Sequence, residues 1–549
     1  MNRLYTLFAA QICLALSASA QTPFPATDSL NINKINAAVL VHGDMWWNAD
    51  HANYATTSFF PNGTRKSIGG YGNALWMSGF DGAGQLHVAA QTYRQDGNDY
   101  WPGPLDAGGS LSYATSRDWA KVWKVNRSEI QHFLATMGHT PANTAPSILT
   151  WPGKGNTHAR GNDGVPLTVS TDMAPFTDVN GNGIYEPLSG DFPDVKGDQA
   201  LWWVFSDNGP THDQSDGMPL KAEVHAMSYA YSRGTLIDNV IYYDYHIINK
   251  STNNYPNFRA AMYNNIDLGN FNDDYIGFDS SFRLSIVYNG VADDGSLSGW
   301  PAGSYGTSVP IVGVTIVAAP GDAGGTYIPA GNFVYHTGSP SVIGVPTADY
   351  EYNNYIHGKK RDGSFYTDDY GNPVNYVYIG NPSIPGGWSE CWANNAPEDK
   401  GTILSSRDFA LPAGGSQRIV YALVVTDTGQ GQACGSPTLS FNGIKTVADT
   451  AWKVYKNPPP LKPVMVNEAL SLKAYLYPNP ANNILHIELN KSSGEEHISV
   501  HNPLGQLMEV PVTRTNTELV LDISRLAVGV YYVQCTNDGT SSTAAFTKY

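Results

Sequence analysis

The sequence is short of positive charge: 32 Lys and Arg stand against 48 Asp and Glu, a formal net charge of −16. Phosphate backbones demand basic patches, so nucleic acid is excluded as a partner, and so is electrostatic docking on an anionic membrane. Long apolar runs are missing too. Nothing beyond the first twenty residues approaches the roughly 20 continuous apolar residues of a membrane helix, so no transmembrane segment is expected. Cysteine is scarce. Of four in the chain, Cys13 lies near the start, and Cys391, Cys434 and Cys535 are too scattered for a zinc site and form no CxxC. Cys391 and Cys434 can pair, both lying in the last third of the main body, which leaves Cys535 single. A chain this large buries a real core and does not depend on disulfides.

Catalytic signatures are equally sparse. There is no Gly-x-Ser-x-Gly elbow, no His-Glu-x-x-His and no phosphate-cradling loop. Trp151-Pro152-Gly153-Lys154-Gly155 lacks the Gly-Lys-Ser/Thr ending of a P-loop. The 14 histidines are scattered singly. Glycoside hydrolysis needs two carboxylates roughly 5 to 10 Å apart, and 48 acidic residues single out no such pair. The sequence leans away from an enzyme.

What is present begins with MNRLYTLFAAQICLALSASA, residues 1 to 20. Arg3, the apolar stretch Leu4 to Leu16 and the small-x-small Ala18-Ser19-Ala20 have the layout of a secretory signal peptide. A body of residues 21 to 455 follows, then the proline-rich linker 456 to 474, which opens Lys456-Asn457-Pro458-Pro459-Pro460. The body holds most of the 55 Gly, 35 Pro, 33 Tyr and 13 Trp of an otherwise weakly charged chain. Strands are expected at KAEVHAMSYAYS, LIDNVIYYDYHIINKS, SFRLSIVYNG and PIVGVTIVAAP, with a further pair in RDFALPAGGSQRIVYALVVTDT. Trp123 to Met137 and Asn442 to Tyr455 are the expected helices. The fold class is all-β, a large loop-rich antiparallel sandwich of one or two domains.

After the linker, residues 475 to 549 alternate in short bursts, ILHIEL, HISVHN, ELVLDIS and VYYVQC, separated by turn residues. That is the pattern of a small Ig-like β-sandwich. Tyr477-Pro478-Asn479-Pro480 opens it, Asn502 to Gly505 marks a central turn, and Leu526 to Tyr532, with Gly529 and Tyr531, precedes the last strand. With these landmarks the segment resembles the C-terminal (type A) sorting domain of type IX secretion cargo. The resemblance implies a secreted or outer-membrane-surface location, with the secretion machinery as a partner. The body, through phrases such as ALWMSGFDGAGQLHVAAQTYRQDGNDYWPGPLD and GWSECWANNAPEDKG, resembles a group of large extracellular proteins with the same sorting domain and no established activity.

The chemistry that remains is acidic and aromatic. In DVNGNGIYEPLSGDFPD, residues 178 to 194, Asp178, Asn180 and Asn182 sit at alternate positions with Gly183 next and the Ile184 carbonyl at position seven. Calcium takes six to eight oxygen ligands, and this spacing copies the first half of an EF-hand loop. Position twelve is Ser189 and Pro187 forbids the following helix, so Asp191, Asp194 or Asp198 downstream is expected to complete the site, the alternative being an Asx-rich turn that folds back without an ion. Asp267, Asp273, Asp274 and Asp279 make a second possible calcium cluster, because adjacent carboxylates repel unless a cation intervenes. Trp46-Trp47, Tyr100-Trp101, Trp202-Trp203, and Trp388 with Trp392 offer flat faces for sugar rings, yet large aromatics also fill sandwich cores. Alternation predicts one member of each adjacent pair in the core and the other near a surface or loop. The expected function is a calcium-stabilised structural or adhesive module. The alternative is a glycan- or surface-polymer-binding protein, with a protein ligand or a secreted hydrolase behind it.

Overall fold

The computed structural model describes residues 26–46, 58–59, 72–92, 97–136, 138–294, 305–322, 327–427, 436, 439–459, 474–489, 497–503, 505–514, 519–537 and 540–549. The segment read as a signal peptide, Trp47, Cys434, Leu504 and linker residues 460 to 473 lie outside them. The chain divides into two compact units, one ending at Pro459 and the other starting at Pro460.

The first unit is built on two antiparallel sheets. One runs Thr27–Leu30, Ile35–Leu40, Asp44–Met45, Gly72–Phe80, Tyr255–Asn265, Lys400–Ser405 and Asn332–Thr337. The other runs Asp274–Asp279, Leu284–Asn289, Ile311–Ala318, Ser416–Thr426, Val240–Asn249, Ala222–Ala230, Gln199–Ser206 and Trp101–Pro102, with Trp123–Asn126 also on Gln199–Ser206. Side chains alternate along each strand, so Leu201, Trp203, Phe205, Tyr243, Tyr421 and Leu423 share the core between the two sheets with Leu75 and Met262. The two strands expected in RDFALPAGGSQRIVYALVVTDT, Phe409–Leu411 and Ser416–Thr426, form and are joined through Pro412-Ala413-Gly414-Gly415, but they do not pair with each other. The first joins Tyr255–Asn265 in one sheet and the second lies in the middle of the other, so the turn crosses the sandwich.

The second sheet is covered on its outer face as well. Helix Asn442–Lys456 lays Ile444, Val447, Ala448 and Ala451, spaced i, i+3, i+4 and i+7, against that face, where Tyr242 donates to the Ala451 carbonyl. Farther along, Trp123, Trp151, Phe133 and Ile148 pack with Ala200, Trp202 and Val204. This corrects the expectation for the aromatic pairs. Trp202 and Trp203 do point to opposite faces, but both are buried because both faces are covered. Tyr100 and Trp101 are buried together, as is Trp46. Trp388 is half-buried, and among these aromatics Trp392 is exposed, at 40%. The helix expected from Trp123 begins later: Trp123–Asn126 is a strand, and helix Arg127–Ala135 starts where Glu129 accepts the N–H of Asn126. Cys391 is disulfide-bonded.

The second unit is a pair of four-stranded sheets. Ala474–Tyr477, Ile484–Leu489, Leu519–Asp522 and Val512–Arg514 form one, and Leu507–Met508, His497–His501, Gly529–Asn537 and Thr540–Lys548 the other. Leu485, Ile487, Leu521, Val500, Val533, Cys535 and Phe546 are buried between them.

Candidate functional site

The loop at 178 to 191 is closed by a small ladder in which Phe192 and Pro193 pair with Thr177 and Phe176. Asp191 is buried and clasps it, accepting Val179 N–H at Oδ1 and Glu186 N–H at Oδ2, both at 2.8 Å. Gly181 and Gly183 adopt φ of 74° and 77°, which lets the chain fold back on itself. Asp178 accepts from the N–H groups of Gly181 and Gly183, and the Gly183 bond foremost holds its carboxyl below the usual range. The Oδ1 atoms of Asn180 and Asn182 take the N–H groups of Asn182 and Ile184. Their side-chain amides meet on Glu186 Oε2, at 3.1 and 2.5 Å.

Glu186 was not among the expected ligands. It stands at position nine of the same alternate spacing, where an EF-hand loop often places a ligand, and that count was the available signal. No group of three His, Cys, Asp or Glu side chains among the described residues is arranged to hold a metal ion. The loop instead offers two carboxylates, Asp178 and Glu186, with amide and carbonyl oxygens of Asn180, Asn182 and Ile184. Such all-oxygen sets suit calcium and disfavour transition metals. Asp194 lies beyond the closing ladder, exposed, at the wall of a cleft.

That cleft, about 450 Å³, opens on the outer face of the second sheet between its coverings. Register builds its floor. Trp202, Met227 and Asp244 stand side by side on three adjacent strands, and His225, His246 and Arg418 form the next row. Asp244 is the buried centre, taking the Arg418 guanidinium through Nε and Nη2 and Lys196 Nζ at 3.1 Å. Lys196 also lies over the rings of Tyr229 and Tyr455, at 5.6 and 5.1 Å. His225 Nε2 is 2.9 Å from Glu223 Oε1, and its ring meets that of His246 edge-on. Burial, then the like charges of His225 and Arg418, push the His246 pKa down.

The second acidic cluster is divided. Asp267, Asp273 and Asp274 are buried, and burial first drives all three pKa values up. Asp399 adds to this at Asp267, Asp294 at Asp273, and Asp267, Asp273 and Asp294 together at Asp274. Asp273 reaches about 7. Asp273 and Asp274 each keep one buried oxygen with no hydrogen-bond partner among the described residues. Asp279 stands apart at the other end of strand Asp274–Asp279, paired with Lys445 Nζ at 2.5 Å.

Residues 475–548 match the family described as the secretion system C-terminal sorting domain. The chain carries a type IX sorting tail. It is therefore export cargo, a secreted or outer-membrane-surface protein whose tail engages the secretion machinery. Among the described residues no helix is long and apolar enough to cross a membrane. No curated protein matches this cargo in sequence. Among solved structures, a polysaccharide lyase aligns with 59% of the cargo at 8% identity and a TM-score of 0.17. The cargo spans 34% of that lyase chain, and so low a TM-score carries neither fold nor function across.

Proposed function

We propose that the exported body is a calcium-stabilised structural or adhesive module, with the 178 to 194 loop as its ion site. The observation that carries this is the meeting of Asn180 and Asn182 on Glu186, with Asp178 two residues before Asn180, inside a loop closed by its own ladder. A bound calcium would neutralise the two carboxylates and fix a loop whose side chains now hold mainly one another and their own backbone. Asp267, Asp273 and Asp274 are a second place where such an ion would relieve crowding, while Asp279 is already neutralised by Lys445. The cleft supports ligand binding better than hydrolysis, because its central carboxylate is engaged by two cations and is not held ready for proton transfer.

The test is a thermal melt of the full chain with calcium titrated against chelator. The midpoint is expected to climb as calcium rises from roughly micromolar to millimolar, and Asp178→Ala to remove the part of the climb that the 178 to 194 loop supplies. A midpoint indifferent to calcium at every concentration would remove the ion from the account.

A further inference from the structure

We infer that the cleft on the outer face of the second sheet binds an acidic oligosaccharide, with a sugar carboxylate held by Arg418, Lys196 and His246. In a chain of net charge −16, this is a place where the buried group is the anion and the accessible groups are mainly cations. The Asp244 side chain is 2% exposed, against 39% for Lys196 and 52% for Arg418. Asp194 adds one accessible carboxylate at the wall.

The geometry of Arg418 says how an anion would be held. A guanidinium has five N–H donors in a planar arrangement that offers a side-on and an end-on fork. Asp244 takes the side-on fork at Nε and Nη2. The end-on fork, Nη1 with the second Nη2 proton, is left for another planar carboxylate, and no described residue accepts from Nη1. Lys196 Nζ has three protons, one directed to Asp244. The exposed ring of His246 is the cross-strand neighbour of Arg418 and would add a third donor. Asp244 thereby acts as a positioning residue: it aims the cation without reaching the ligand.

The backbone favours a saccharide over an acidic peptide. A peptide adds to a sheet by pairing with an open edge. Here the floor strands Gln199–Ser206, Ala222–Ala230, Val240–Asn249 and Ser416–Thr426 each pair with neighbours on both sides. Recognition is left to side chains, which suits a ligand read through its own carboxylates and hydroxyls. A volume of about 450 Å³ also falls within the roughly 300–1,000 Å³ of small-ligand sites, enough for a short stretch of such a chain.

The experiment is calorimetric titration of the full chain, in calcium, with a galacturonic acid trimer, its neutral galactose counterpart and a glutamate tripeptide. The acidic trimer is expected to bind, with the neutral trimer and the tripeptide at least about tenfold weaker. Arg418→Gln and His246→Gln should each weaken the acidic trimer about tenfold. Should Arg418→Gln fail to fold, His246→Gln decides, since its side chain is exposed. The proposal is overturned by no saturable binding up to ~10 mM, by equal binding of the neutral trimer or the tripeptide, or by an unchanged Kd in the folded variants. The calcium melt reads ion binding by the acidic loops and the titration reads ligand binding in the cleft, so either idea can fail without the other.

Discussion

The guanidinium of Arg418 caps the carboxylate of Asp244 with two parallel hydrogen bonds, from residues directly flanking a paired position on neighbouring strands. Removing one partner strands a buried charge. Arg418→Ala should cost about 3 kcal/mol in urea unfolding, because Lys196 alone is left to neutralise Asp244. The double variant Arg418→Gln with Asp244→Asn should recover most of that loss. A double variant no better than Arg418→Ala would show that the pair is not what holds this part of the sheet.

Glu186 is expected to govern calcium rather than the fold. Glu186→Gln keeps the size of the side chain and removes the charge on which Asn180 and Asn182 meet. The chelated protein should melt within about 0.5 kcal/mol of the parent. The calcium needed for half the stabilisation should rise at least about tenfold. Unchanged calcium dependence would assign Glu186 to loop closure alone.

Acidity should stabilise the region around Asp273. Burial, and then Asp294, push its folded-state pKa to about 7, above the unfolded value. Over that interval the folded state retains a proton that the unfolded chain has lost. Stability therefore falls as pH rises from about 4 to 7 and levels off above. Asp207, near 6, and Glu390, near 7, contribute in the same direction. In chelator, Asp273→Asn should flatten part of this slope and leave the protein about 1–3 kcal/mol more stable at pH 8. Urea unfolding from pH 5 to 8 measures it, and a less stable variant at pH 8 would contradict the burial argument.

The helix over the outer face should be energetically coupled to the sheet. Ile444 is fully buried beneath it, and Ile444→Ala should cost about 3 kcal/mol from lost burial and the cavity left behind. Thr446→Ala, on the exposed side, should change stability by less than about 0.5 kcal/mol. Equal effects at the two positions would mean that the helix packs more loosely than its spacing implies.

Legibility followed locality. The tail could be recognised because each landmark, from Tyr477-Pro478 to Gly529 and Tyr531, is a short contiguous string. Most strands were legible for the same reason, through alternation within ten residues. The turns of the 178 to 184 stretch were legible, but Glu186, on which Asn180 and Asn182 meet, was passed over in favour of Asp191, which the fold uses as a clasp. The cleft was invisible, because Trp202, His225, Asp244 and Arg418 come from four strands and meet only through register. The fate of Trp202 and Trp203 was misjudged for a related reason. Alternation separates two faces, but it cannot say that helix Asn442–Lys456 and the segment around Trp151 will roof the outer one.

The cores of the two units share no residue: those of the first are drawn from positions up to 455, and that of the tail from 476 onward. The delivery label is thus written in side chains that the cargo's own cores do not use. A protease that severed it after export would leave those cores complete. The address can be discarded on arrival without unsealing what was sent.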